Sequence, residues 1–109
     1  MKKRHKRSVR SHESVMPELL RASPADAIAV LNDTLASGSP QEVAVAVRQM
    51  AAALGGLPGI ARAAGINVTQ AYRSLSSRGN PSFGTINAVV RAAGFELAVR
   101  RRGARRGGA

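Results

Sequence analysis

Ser-Pro pairs and glycines punctuate the middle of the chain so regularly that it divides into short helices. Ser23-Pro24-Ala25-Asp26 puts a hydroxyl at N-cap, proline at N1 and a carboxylate at N3, where each satisfies or tolerates the unpaired amides of a first turn. Ile28, Leu31 and Leu35 follow at helical spacing and predict one buried stripe ending near Gly38. Ser39-Pro40-Gln41-Glu42 repeats the start signal, and Val43, Val47, Met50 and Leu54 mark a second amphipathic helix that Gly55-Gly56 stops. Pro58 to Ala64 has room for about two helical turns before Gly65 breaks it. Asn67-Val68-Thr69-Gln70 then opens a helix running to about Ser76, with Asn67 and Gln70 spaced as a capping box. Pro81 restrains the chain before Ser82 caps a last helix from Phe83 to Ala93. Upstream, Glu13 to Leu20 reads as a short helix interrupted or begun at Pro17.

The chain is 109 residues long and contains no internal repeat, so a single domain is expected, smaller than the chain once its tails are removed. It has no cysteine, which excludes a disulfide framework, a Cys-based zinc site and a thiol nucleophile. The longest run without a charged residue, Gln49 to Ala61, is broken by Gly55, Gly56 and Pro58, and a spanning helix needs about 20 apolar residues. No membrane association is therefore expected. The basic start Met1-Lys2-Lys3-Arg4 is followed by no apolar stretch of the signal-peptide type, and a cytoplasmic, reducing location is the expectation. His5 and His12 have no ligand spacing around them, and the carboxylates are dispersed. No metal site, cofactor or enzyme activity is expected.

Net charge is +11, and its distribution matters more than its size. Residues 1–10 hold six Lys or Arg and residues 100–109 hold five, so the two ends carry the whole excess. Between them, Ser11 to Glu42 is acidic, with Glu13, Glu18, Asp26, Asp33 and Glu42 against Arg21 alone. Val43 to Phe95 holds five Arg and no acid. Tails of this kind are commonly solvated, disordered arms; alternatively they neutralise a polyanion, because Lys and Arg near phosphates release condensed counterions. The basic half also contains the two short helices joined at Gly65. That supersecondary unit places a helix in a DNA major groove, although glycine-turned hairpins also occur in bundles without a nucleic-acid role. Ala61 is small where the two helices cross, Gly65 can take a positive φ, and Ile66 and Ala71 plug the pair onto the core.

Three stretches, Ile60 to Asn67, Ala71 to Ser76 and Gly79-Asn80-Pro81-Ser82-Phe83, resemble the addiction-module antidote proteins, which are Xre-type, λ repressor-like helix-turn-helix proteins. His12-Glu13, Leu31-Asn32 and Gly38-Ser39-Pro40 extend the likeness from about Ser11 to Val99. The Gly-Asn-Pro-Ser turn is more particular to this group than the Ala-Gly spacing of the motif. The resemblance implies an all-α fold, a compact bundle of about five helices, with the motif at residues 57–76 in a domain spanning 11–99. It implies an antitoxin of a type II toxin-antitoxin module that neutralises a small RelE-like toxin by direct binding and represses its own operon. Its partners would be a palindromic double-stranded operator, the toxin and a second copy of the chain, at the nucleoid. A stand-alone Xre-type regulator is the alternative. A third reading, an RNA-binding or nucleoid-type protein, is weakened by a content of one Tyr and two Phe, too few for base-stacking platforms.

On a helix beginning after Asn67, Ala71 and Leu75 point inward with Ser74 beside them, so Val68, Thr69, Tyr72, Arg73 and Ser76 face outward. By resemblance Val68, Thr69 and Arg73 meet base edges. A guanidinium can bond bidentately to guanine, so Arg73 is the strongest expected reader, while Thr69 offers a methyl or a hydroxyl. Gln70, Tyr72 and Arg78 are placed for phosphates. Set against these roles, Arg73 can be a solvated charge and Tyr72 can pack on Leu75. Where related repressors open the first motif helix with Gln or Thr, this chain has Leu57-Pro58-Gly59, which removes a phosphate anchor. Val68 can read only a thymine methyl, so direct readout is thin. After Gly94 the period changes. Phe95, Leu97 and Val99 alternate with Glu96, Ala98 and Arg100, which predicts a short C-terminal β-strand paired with a symmetry mate or partner, or else an extended segment lying on the core.

Overall fold

Bonding at the helix ends accounts for most of the observed architecture. The structure, a computed structural model, describes residues 16–103. Six helices follow in order within them: α1 (16–22), α2 (Pro24–Ser37), α3 (Pro40–Ala53), α4 (Leu57–Ala64), α5 (Val68–Ser74) and α6 (Phe83–Ala92). About five were expected, and α1 is the one the sequence left least defined; it runs through Pro17 and past Leu20. The basic tail at 1–10 and residues 104–109 lie outside the described residues.

Ser39 and Glu42 form the full capping box. The Ser39 Oγ accepts from the Glu42 amide at 3.2 Å, and Glu42 Oε1 accepts from the Ser39 amide at 2.8 Å. Ser82 caps α6 by accepting from the Thr85 amide at 3.1 Å. Ser23 sits at the N-cap of α2 but its hydroxyl makes no cap. Its amide donates to the Leu19 carbonyl of α1 at 2.7 Å, and the backbone is held at φ −152°, ψ 81° rather than the −75°, 165° of Ser39. Continuity with α1 has replaced the expected cap.

Gly65 ends α4 in the left-handed region at φ 77°. Its amide donates to Arg62 O at 3.0 Å and the Ile66 amide to Ala61 O at 2.8 Å, the paired bonds of a Schellman turn. The same arrangement closes α6. Gly94, at φ 99°, donates to Arg91 O, and Phe95 donates to Val90 O, each at 3.0 Å. Both turns reverse the chain and return an apolar side chain, Ile66 or Phe95, onto the core it has just left.

α4 is central, packing against α3, α5 and α6; α3 also packs on α2 and α6. Met50, Leu75, Val47, Val89 and Val90 are the largest fully buried side chains, and Ala44, Ala51, Ala61 and Ala71 are wholly buried between helices. α3 and α4 meet at 102°, and no single helix is long and apolar enough to cross a membrane. The expected α2 stripe is rotated. Ala27 and Leu31 are buried, Leu35 is half-buried and Ile28 is 40% exposed. In α3, Val47 and Met50 are in the core, whereas Val43 is half-buried and Leu54 exposed.

The expected C-terminal β-strand is not formed. Among the described residues there is no strand, and residues 95–100 take no regular secondary structure. The alternation is real but serves a different contact. Phe95 and Leu97 pack against the core while Glu96 and Ala98 face outward, because the Schellman turn lays the chain across α2 and α6, where no sheet edge exists. Beyond Leu97 the chain leaves the surface, and Val99 is 98% exposed.

Two glycines are needed for different reasons, and this is testable by urea unfolding. A Cβ at Gly65 would meet nothing within 4 Å, so Gly65→Ala costs only its left-handed backbone, about 1 kcal/mol. A Cβ at Gly79 would collide with the Ser74 carbonyl and lie 2.7 Å from the Arg73 carbonyl oxygen. Gly79→Ala therefore has to move backbone, and we expect it to destabilise more than Gly65→Ala.

Candidate nucleic-acid interface

α5 is a short helix held by few bonds. Asn67 Oδ1 accepts from the Gln70 amide at 3.0 Å, one arm of the expected box; the return bond from the Gln70 side chain is absent, and that side chain is exposed. The helix ends at Ser74, two residues before the expected Ser76, with Leu75 as its C-cap. Ala71 and Leu75 are both completely buried, and the main packing partner of α5 is α4. The inward face therefore agrees with the spacing, with Ser74 half-buried beside it and its hydroxyl donating to the Gln70 carbonyl at 3.0 Å.

The outward face is narrower than the helical wheel predicts. Thr69, Gln70 and Arg73 are exposed and Tyr72 is 47% exposed. Val68 is a correction. It is half-buried against the core, because the turn that places Ile66 on the core also draws the first residue of α5 inward. Ser76 is a second correction. It is half-buried, its hydroxyl donates to the Arg73 carbonyl at 3.0 Å and accepts from the Arg78 amide at 3.3 Å. That hydroxyl shapes the turn after α5. The Gly79 amide closes the same turn on Ser76 O at 2.9 Å, which leaves Arg78 exposed at its tip.

Thr69, Gln70, Tyr72, Arg73 and Arg78 thus share one protruding element, from which Val68 and Ser76 are partly withdrawn. Arg62, exposed in the last turn of α4, is a cation of the same acid-free half that sequence reasoning did not single out. The signal was present in the absence of acid from Val43 to Phe95, but the spacing gave no reason to prefer Arg62 over the other arginines. Among the described residues no group of three His, Cys, Asp or Glu is arranged to hold a metal ion.

Because one side-chain cap starts α5, Asn67→Ala is expected to lower stability by about 1 kcal/mol in thermal or urea unfolding, and Asn67→Ser to lower it by much less.

Residues 16–101 match the family model described as probable addiction module antidote protein. No similar curated protein and no similar solved structure was found. The match covers every described helix, including the Gly79-Asn80-Pro81-Ser82 turn, and the family implies an antitoxin role with a toxin as partner. The chain belongs to the family of probable addiction module antidote proteins.

Proposed function

We propose that α4, the Gly65 turn and α5 form an Xre-type, λ repressor-like helix-turn-helix, and that the protein is a DNA-binding antitoxin that represses its own operon. The observation that carries this reading is the outward face of α5. A helix anchored by two fully buried side chains offers Thr69, Gln70, Tyr72 and Arg73 to solvent on the cationic half of the chain. A helix so presented can enter a major groove, where Arg73 bonds to guanine O6 and N7 and Thr69 contacts the neighbouring base. Tyr72, Gln70 and Arg78 bond to phosphates, which orient the helix without reading sequence.

Direct readout is narrower than the motif suggests, because half-buried Val68 has little side chain to offer and the Ser76 hydroxyl is committed to the turn. Affinity then depends more on phosphate neutralisation by the basic ends. The protein acts as a homodimer on a palindromic operator, in the cytoplasm and at the nucleoid, and it neutralises a small RelE-like toxin by direct binding. It has no enzyme activity of its own. The family match favours this over a stand-alone regulator of the same fold.

Binding to the protein's own promoter and to scrambled DNA, each at several salt concentrations, tests the reading. Arg73→Ala is expected to reduce the preference for the promoter by about tenfold or more, the effect of removing one bidentate pair of hydrogen bonds to a base, roughly 1 to 3 kcal/mol. Arg78→Ala should weaken binding to both duplexes alike. Equal weakening on both duplexes for Arg73→Ala would show that Arg73 is not a base reader. Deleting residues 1–10 and 101–109 should flatten the salt dependence, by about 0.9 in log–log slope for each phosphate that the arms no longer neutralise, while the promoter preference stays.

A further inference from the structure

The last turn of a helix leaves carbonyls that the helix itself cannot pair, and in α5 a serine beyond the end takes one of them. The Ser76 Oγ donates to the Arg73 carbonyl at 3.0 Å and accepts from the Arg78 amide at 3.3 Å. One hydroxyl therefore ties the backbone of Arg73 to the backbone of Arg78. The Gly79 amide donates to the Ser76 carbonyl at 2.9 Å. A Cβ on Gly79 would collide with the Ser74 carbonyl and lie 2.7 Å from the Arg73 carbonyl oxygen. The returning chain thus passes close against the same carbonyl that the hydroxyl holds.

Arg73 and Arg78, both exposed, stand on either side of this closure. Their work on DNA differs, one bonding to a base and the other to a phosphate. A phosphate contact carries no sequence information of its own, but it fixes register and orientation on the duplex. It can aim a neighbouring side chain at a base only where the backbone between the two is ordered before binding. A turn that is already closed removes the cost of ordering it in the complex.

We infer that Ser76 is a positioning residue: its hydroxyl sets the spacing of Arg73 and Arg78, so that the phosphate contact of Arg78 strengthens the base contact of Arg73. Ser76 thereby acts on sequence preference through two other residues. Gly79 serves the same closure by letting backbone approach backbone. The inference rests on the DNA reading of α5 and adds to it the cooperation of its two arginines.

A double-mutant cycle in DNA binding tests it. Affinities for the promoter and for scrambled DNA are measured for Arg73→Ala, Arg78→Ala and the pair, in full-length chains carrying Ser76, Ser76→Ala or Ser76→Thr. All are compared below the unfolding midpoint of the least stable variant. With Ser76 in place, the pair should lose less promoter affinity than the product of the two single losses, by about threefold or more. In Ser76→Ala the two losses should simply multiply, and Ser76→Thr, which keeps the hydroxyl, should retain the coupling. A merely structural role would change stability without removing the coupling. No coupling is expected on scrambled DNA, where Arg73 has no preferred base. Coupling that survives Ser76→Ala, or arginines already independent in the presence of Ser76, overturns the proposal. Hydrogen exchange of the unaltered chain checks the bridge without any variant. The Arg78 amide should exchange about tenfold or more slowly than in an unstructured peptide, and an unprotected amide overturns the proposal as well. Equal weakening of both duplexes by Arg73→Ala would remove the DNA reading of α5 and this inference with it. A promoter-specific Arg73 effect without coupling removes the role of Ser76 alone.

Discussion

The orientation of each helix depends on how its ends are bonded. Only three residues of the chain are aromatic, and none of them is fully buried; Phe83 is 72% exposed. The interior is instead made of aliphatic side chains, Leu31, Val47, Met50, Leu57, Ile60, Leu75, Ile86, Val89 and Val90 among them, and a set of alanines. Burying a Val, Leu or Met supplies roughly 1.5 to 3 kcal/mol, more than the roughly 1 kcal/mol of a cap, so burial dominates the stability. Burial is non-directional, however, and small smooth side chains leave helices free to rotate and slide. Direction comes from the Schellman turns at Gly65 and Gly94, the caps at Ser39, Asn67 and Ser82, and the close passage of Gly79 past the end of α5.

The same economy shapes the candidate interface. α5 is seven residues long and reaches the core through Ala71 and Leu75, so its remaining surface is available for other contacts. The turn after it is held by the Ser76 hydroxyl, which serves both the Arg73 carbonyl and the Arg78 amide, and by the Gly79 amide on the Ser76 carbonyl. Arg73 and Arg78, both exposed, flank that turn. Charge is sorted along the chain in the same sense. The acid-free stretch spans most of α3 through α6, and the carboxylates among the described residues lie on α1, α2, the start of α3 and at Glu96. An antitoxin has to meet a protein partner, and one that also binds DNA has to meet a polyanion.

Features that depend on a few neighbouring residues were legible in the sequence. Ser39 with Glu42, Asn67, Ser82, Gly65 and the inward pair Ala71 and Leu75 all took the places their local chemistry requires. The departures from the sequence pattern have two causes. At Ser23 and Ser76 a competing bond within four residues replaces the expected arrangement, and at Val68 and the C-terminal alternation packing on the core redirects the local pattern. Ser23 bonds to α1, Val68 follows Ile66 onto the core, Ser76 holds the Arg78 turn, and Phe95 with Leu97 lies across α2 and α6. A period of two says that alternate side chains face alike; it does not say whether they face a sheet neighbour or a helical surface.

The sequence by itself determined most of the helix starts from α2 onward, which half of the chain is cationic, and that the Gly65 turn joins two short helices. Caps and turns are made within about six residues, and charge is additive, so neither needs the fold to be known. The tertiary structure alone decided that the α2 stripe is rotated to leave Ile28 in a groove, that Val68 is drawn toward the core, and that the C-terminal segment is a strap on the core. Those outcomes turn on which surfaces are left over once α3, α4 and α6 have packed. That is a property of the whole assembly of helices, and no local spacing encodes it.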